Sequence, residues 1–384
     1  MRELETILSS YSDLKSKDIK CVLATVVHVE GSSYRRAGAR MLVDEYGNIT
    51  GAISGGCLEG DALKKALFAL EKQENKLITY DTSDEDDAVI GAQLGCNGVI
   101  QVLFEPVDYG NNNNVCELLK MVVDIEVPSV TSIGFNLDNT QKQLGTVLVS
   151  NGQEVFAQKN LGKATLKVLH EKSREVIENE RSSFLEMDAN EGMSHIFMDF
   201  HPSSVQLVLV GAGNDAQILA QQAELLGWKV IVTDGRPTHA NKSRFVGSCQ
   251  VIVTKPEATL ESVRLDERTC FVLMSHNYNY DLSVLKLLLG KPELSYIGIL
   301  GPLKKYQRML DELADEGLEL SENDLSKIHA PIGLEMGAET PAEIGLSILA
   351  EIQSVLTHKT PMPLKQKKAP IHDHHNSQFQ KIAI

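Results

Sequence analysis

The 384 residues contain no CxxC pair, no excess of basic residues and no apolar run of membrane-spanning length, and each absence removes a class of protein. Six cysteines (Cys21, Cys57, Cys96, Cys116, Cys249, Cys270) stand singly, which excludes a disulfide framework and a structural zinc site as the organising device. Lys and Arg number 37 against 52 Asp and Glu, a net charge of -15, so a polyanion such as nucleic acid or an acidic membrane surface is repelled. The opening MRELETILSSYSDLKSKD reads as a polar amphipathic helix without the apolar core of a signal peptide, and the expectation is a cytoplasmic protein with neither nucleic-acid nor membrane partners.

What is present is globular: 42% hydrophobic and 23% charged residues over this length predict two or three domains. Two stretches follow one pattern, the first beginning CVLATVVHVEG and the second PSVTSIGFNLD. Each reads strand, loop, strand, glycine turn (Gly47, Gly152), strand, helix (Asp61–Lys72, Leu161–Lys172), then two strands ending near Pro106 and Pro202. The polar separator DYGNNNN suits a linker, giving an α+β unit over 1–110 and a second, degenerate copy over 111–202. Only the first copy inserts ISGGCLEG before its helix, so the first is read as functional and the second as structural.

From Val205 the pattern changes to continuous apolar strands, VQLVLV, KVIVTD, QVIV, CFVLM and YIGIL, alternating with helical stretches. That alternation predicts an α/β fold, a Rossmann-type doubly wound parallel sheet over 203–357, followed by a flexible Lys/Pro/His-rich tail over 358–384. In GAGNDA, Gly211 permits the tight turn, Gly213 lets backbone approach a phosphate, Asn214 and Asp215 open the helix, and Ala216 fills the small third position. Asp234, at the end of the next strand, stands where a ribose-binding acid belongs. Arg236 either takes a 2′-phosphate or pairs with Asp234. His276, after the fourth strand, either lines the ligand edge or caps the following helix. Gly301 opens a further strand-to-helix turn able to hold an anion, whereas Lys304, Lys305 and Arg308 read as a solvated face.

In the first copy, Ser54, Gly55, Gly56 and Cys57 precede a helix, whose dipole and free N–H groups favour a thiolate or a bound anion. Cys96, in the glycine-flanked LGCNG, is a second candidate thiol; a packing role for small residues in a turn is the alternative for both. Arg35, Arg36 and Arg40 read as a cationic cluster for a phosphate or an oxygen-rich ring, unless Asp44 and Glu45 neutralise them.

Taken together, EGSSYRRAGARMLV, GAISGGCLEGD, LGCNG, GAGNDA, SHNYNYD, YIGILGP and HAPIGLEMGAETPAEI resemble the XdhC/CoxI family, accessory proteins of xanthine dehydrogenase and related molybdenum hydroxylases. Tyr34 stands where many relatives have proline, and Asn214 where the glycine turn commonly carries histidine. The resemblance implies binding and protection of the molybdenum cofactor (molybdopterin), support of its oxo-for-sulfido exchange, and delivery to a hydroxylase apoenzyme. A cysteine desulfurase and a second copy of the chain are the further partners expected. Cys57 is then the thiol at the metal, a plausible soft ligand for molybdenum. One ligand meeting both sets of residues requires the Gly-Gly-Cys loop to face the carboxyl edge of the Rossmann sheet, within the chain or across a symmetric dimer. No nucleophile–base pair is legible, so the reading is a chaperone rather than an enzyme. The alternatives are an NAD(P)-dependent oxidoreductase acting on a pterin or small carbonyl, and a pure docking protein.

Overall fold

The computed structural model describes residues 2–81, 98–138, 142–158, 161–190, 193–245, 247, 249–368 and 378–382. Two compact units form, one of Glu3–Ser203 with Leu364–Ile384 and one of Ser204–Pro363.

The first unit opens with helix α1 (Arg2–Ser16) and then uses one topology twice. Strands β1 (Cys21–Gly31), β2 (Arg40–Asp44) and β3 (Ile49–Gly51), helix α2 (Glu59–Lys72), and strands β4 (Lys76–Asp81) and β5 (Gly98–Pro106) make a sheet of order β3-β2-β1-β5-β4. After helix α3 (Val115–Asp124) come β6 (Ser129–Phe135), β7 (Gly145–Ser150), β8 (Val155–Gln158), helix α4 (Lys163–Glu178), β9 (Ser183–Asn190) and β10 (Met193–His201). Their order, β8-β7-β6-β10-β9, repeats the first sheet position for position.

β1 is buried along nearly its whole length because both of its faces are covered. Val22, Ala24 and Val26 share a core with Ala62, Ala66 and Ala69, the small inward stripe of α2. The alternate residues Cys21 and Leu23 share another with Leu4, Ile7 and Tyr11 of α1. Each large side chain so buried contributes roughly 1.5–3 kcal/mol of transfer free energy. The separator DYGNNNN is less of a free linker than its composition suggests. Asn114 caps α3 by accepting from the amides of Cys116 and Glu117, and α3 packs on β6 and β7.

The second unit carries β11 (Gln206–Val210), α5 (Asn214–Leu225), β12 (Lys229–Asp234), β13 (Gln250–Val253), β14 (Thr269–Leu273), α6 (Tyr278–Leu288), β15 (Tyr296–Ile299), α7 (Leu303–Asp315), α8 (Glu322–Lys327), β16 (Ile328–His329) and α9 (Pro341–Leu356). Its sheet is wholly parallel, in the order β13-β12-β11-β14-β15-β16. One face of β11, Leu207 and Leu209, packs with Ala216, Leu219 and Ala220 of α5 and Ile348 of α9. The other, Val208 and Val210, packs with Leu282 and Leu285 of α6 and Met309 of α7. Burial on both faces explains the unbroken apolar run, and the order reverses between β11 and β14, where doubly wound sheets open a ligand crevice.

The expected flexible tail over 358–384 needs correction. Phe379–Ile382 forms strand β17, which pairs in parallel with β9 at the edge of the second sheet. Its anchor is Phe379, stacked on His28 with ring centroids 4.5 Å apart and edge-on to Phe184. Four residues with one aromatic make no periodic signal of their own, and every partner lies far away in sequence.

Candidate functional site

At the carboxyl edge of the Rossmann sheet, the chain leaves β11 through a turn that only glycine fits. Gly211 has φ +120°, and a Cβ there would sit 2.4 Å from the Cα of Ser275. Gly213 caps α5 in an extended conformation with no side-chain cap, so the opening N–H groups of α5 are offered to a ligand. The exposed His276 lies above this cap: a Cβ on Gly213 would stand 3.6 Å from its ring. His276 holds φ +58°, and Asn277 caps α6 by accepting from the amide of Tyr280, so the helix-capping alternative for His276 is set aside.

Asp234 is less free than a ribose-binding acid should be. Its Oδ2 accepts from the Ala212 amide (2.8 Å) and Arg236 Nη2 (2.7 Å), and its Oδ1 from the amide and Nε of Arg236 (2.9 Å each). Burial pushes this carboxyl up, but the Arg236 side chain and the two amides outweigh it and hold the group below its usual range. A ribose hydroxyl would have to displace Arg236. The exposed Asn214 accepts from Arg244 Nη2 (3.0 Å), and Arg244 Nη1 also donates to the carbonyls of Ala212 and His239. Asp215 lines a narrow cleft with Leu219, Met274 and Leu300.

Asp234 and Arg236 separate in a stability measurement. Asp234→Ala leaves the buried Ala212 amide without its acceptor and should cost about 1–3 kcal/mol. Arg236→Ala removes a half-exposed partner and should cost no more than about 1 kcal/mol. Urea unfolding followed by the fluorescence of Trp228, the single tryptophan and part of this core, reads the difference. Equal costs for the two variants would show that the carboxylate does not hold the glycine turn.

One sequence reading is overturned here. Lys304 and Arg308 are exposed, but Lys305 folds inward, donating to Asp281 Oδ2 (2.7 Å) and the Leu300 carbonyl (2.9 Å). Asp281, fully buried, takes the Ser275 hydroxyl at 2.6 Å on its other oxygen. Gly301, at φ +133°, leaves room for that lysine: a Cβ there would lie 3.0 Å from Lys305 Cδ. This Ser275–Asp281–Lys305 chain ties the loops after β14 and β15 together; Asp281 closes the SHNYNYD motif, but nothing in the sequence joined it to Lys305.

In the first unit the Gly-Gly-Cys loop turns on Ser54. Its hydroxyl accepts from the amides of Gly56 (3.3 Å) and Leu58 (3.1 Å) and donates to Glu59, whose carboxylate also takes the Ser54 amide (2.8 Å). Burial pushes Glu59 up, yet these hydrogen bonds hold its carboxyl below the usual value. The amides of Ser54, Gly56 and Leu58 are thus engaged within the loop, gathered on Ser54 and Glu59, while the cap of α2 at Leu58 carries no side-chain hydrogen bond. Cys57 is half-buried, its Sγ 3.6 Å from Ser54 Oγ. Gly56, at φ +107°, has open space where a Cβ would be, while Gly55 lies under the exposed ring of Tyr34. Cys96 falls outside the described residues.

The arginine cluster does not converge. Arg35 pairs with Glu3 and Arg40 with Asp199 (2.7 Å), while Asp44 accepts from the Tyr46 and Asn48 amides of its own turn. Among the described residues no group of three or more His, Cys, Asp or Glu side chains is placed to hold a metal ion, and no helix is long and apolar enough to cross a membrane.

Comparison with known proteins supplies the family. The profile of the XdhC Rossmann domain matches residues 207–352, and that of the XdhC and CoxI family matches 14–81. A probable xanthine dehydrogenase subunit from Bacillus subtilis (strain 168) is 30% identical over 335 residues, 87% of this chain and 92% of its own. The chain belongs to the XdhC and CoxI family. The molybdenum cofactor insertion chaperone PaoD of Escherichia coli (strain K12) is 24% identical over 346 residues, 88% of this chain and 84% of its own. The crystal structure of a xanthine dehydrogenase from Bacillus halodurans superposes with a TM-score of 0.72 at 29% identity, covering 94% of this chain and 98% of that one. The two XdhC spans take in the Cys57 loop and the glycine turn, and the repeated second sheet lies between them.

Proposed function

We propose that this XdhC protein binds the molybdenum cofactor as cargo and inserts it into a xanthine dehydrogenase-type hydroxylase, protecting it and supporting its sulfuration on the way. The hydroxylase apoenzyme is the partner, a cysteine desulfurase is the source of sulfur, and a homodimer is the working assembly. The similarity to a cofactor insertion chaperone over most of the chain supports the role. The observation that carries the chemistry is Cys57: of the five described cysteines it alone is not buried, and it stands beside the open Gly56. A thiolate there suits a metal already bound to sulfur, and needs no further protein ligands because the cofactor brings its own. The uncapped start of α5 suits a phosphate tail. The alternative of an NAD(P)-dependent oxidoreductase draws on the same glycine turn, but its ribose acid is saturated by Arg236 and Ala212.

Cofactor titrated anaerobically into the full chain and followed by its own absorbance should bind saturably. Cys57→Ala should weaken that binding by about tenfold or more, a loss of ~1.4 kcal/mol. Absence of binding, together with hydride transfer from NADPH to a pterin, would replace this reading with the oxidoreductase.

A further inference from the structure

Within the first unit, a cavity of about 260 Å³ lies between α1 and the ends of β2 and β10. Leu4, Ile7 and Phe200 give it apolar walls, and Arg40, Asp199 and His201 its polar side. These three polar residues keep only 6%, 7% and 8% of their surface exposed. Two charges and an imidazole so enclosed are costly to bury, which is why such groups gather at binding sites.

Their internal bonds leave particular atoms over. Arg40 Nη2 donates to Asp199 Oδ2 (2.7 Å) and Nη1 to the Gly38 carbonyl (3.1 Å); Arg40 Nε is buried without a partner and out of a ligand's reach, so the donors left over are the second hydrogens of Nη1 and Nη2. His201 Nε2 lies 3.0 Å from Thr131 Oγ1 and 3.5 Å from Asp199 Oδ2. Among the described residues neither Asp199 Oδ1 nor His201 Nδ1 has a hydrogen-bond partner, and both residues line the cavity. Gly38 keeps Oδ1 accessible: it holds φ +93°, and a Cβ there would come within 3.0 Å of that oxygen.

An unused carboxylate oxygen beside guanidinium hydrogens and an imidazole nitrogen presents acceptor, donor and a tautomeric group side by side. A phosphate is opposed by Asp199 and by Glu3 in the lining, and a cation by Arg40. The complement is a neutral ring edge carrying N–H beside C=O, with flat faces against Ile7 and Phe200. The volume falls just below the roughly 300–1,000 Å³ usual for small-molecule pockets, which suits one or two fused rings and not a dinucleotide.

We propose that this cavity binds the amide-like edge of a small planar heterocycle of the pterin or purine type, with Asp199 accepting from ring N–H groups and Arg40 donating to the ring carbonyl. The pterin assignment rests on the proposed function, since the cofactor's organic part is a pterin; the ring-binding chemistry stands on the cavity itself.

Calorimetric titration of the full chain with pterin and, separately, with hypoxanthine tests it. At least one ring should bind saturably, and Asp199→Asn, which keeps the shape and removes the charge, should weaken it at least about tenfold. Tighter pterin binding assigns the cofactor ring as the occupant, and tighter hypoxanthine binding assigns a purine. A measurement that needs no variant is protection of His201 from diethyl pyrocarbonate by the bound ring, read by peptide mapping. Failure of both rings to bind wild-type protein, or binding unchanged in Asp199→Asn with His201 unprotected, overturns the proposal. If intact cofactor binds where the free rings do not, the cavity assignment falls and the proposed function stands. If the rings bind and the cofactor does not, the reverse holds.

Discussion

Iodoacetamide at pH 7 should modify Cys57 at least about 100-fold faster than Cys21, Cys116 or Cys270, because alkylation requires a thiolate that the reagent can reach. Cys21, Cys116 and Cys270 are fully buried, and Cys249 keeps 6% of its surface. Burial pushes the Cys21 thiol up to about 11, against a smaller pull downward from Tyr109, and the Cys270 thiol up to about 12. Burial likewise raises Cys249, and Cys116 well above the ordinary value. A thiol at about 11 is ionised in only about one molecule in 10⁴ at pH 7. Cys57 combines partial exposure with a bare neighbour at Gly56. Peptide mapping after short exposure gives the order, and the same map places Cys96 within it. Added cofactor should slow Cys57 alone, since coordination consumes the reactive form. Slow labelling of Cys57, or labelling that cofactor leaves untouched, would remove it as the thiol at the metal.

Acidification from pH 7 to 4 should cost the protein about 3 kcal/mol through one side chain, His201. Burial pushes its imidazole down to about 4, with Asp199 pulling it up and Arg40 pushing it down again. In the unfolded chain it titrates near 6.5. The folded state therefore refuses a proton that the unfolded chain accepts. The stabilisation is complete above about pH 6.5, declines as pH falls through that value, and is exhausted near 4. His201→Gln can still hydrogen-bond to Thr131 but does not titrate. Urea unfolding by circular dichroism at several pH values should show the wild-type and variant curves converging toward pH 4. Curves that stay parallel would mean that His201 is protonated at no cost in the fold.

Much of the second unit was legible because its signals are local. VQLVLV followed by GAGNDA and the inward residues Ala216, Leu219, Ala220 and Ala223 spells strand, turn and helix within twenty residues. The first unit was legible as a repeat of pattern, since its two copies use similar element lengths to build the same sheet order. The site was legible only in its backbone half. Gly211 announces its positive φ by lacking a side chain, and Cys57 stands out among glycines. What escaped is side-chain pairing: Arg40 with Asp199 and Lys305 with Asp281 across the fold, and Ser54 with Glu59 within one loop. Arg35 and Arg40, read together because they are neighbours in the chain, bond to carboxylates on different elements. Asp234 was placed correctly at its strand end, and three of its four hydrogen bonds come from Arg236, the partner read beside it, but the fourth depends on the fold of a turn 22 residues upstream.

The pairing of β17 with β9 also sets a timetable. β9 ends at Asn190 and β17 begins at Phe379, so about 190 residues, including the whole Rossmann unit, leave the ribosome between the two. At roughly 5–20 residues per second, the second sheet waits on the order of 10–40 s with its outer strand uncovered. A bare edge offers its N–H and C=O groups to any neighbouring strand, including the same edge of a chain on the next ribosome. The residues that close it are made only after the whole Rossmann unit, so every chain cut short before Phe379 is released with that edge open.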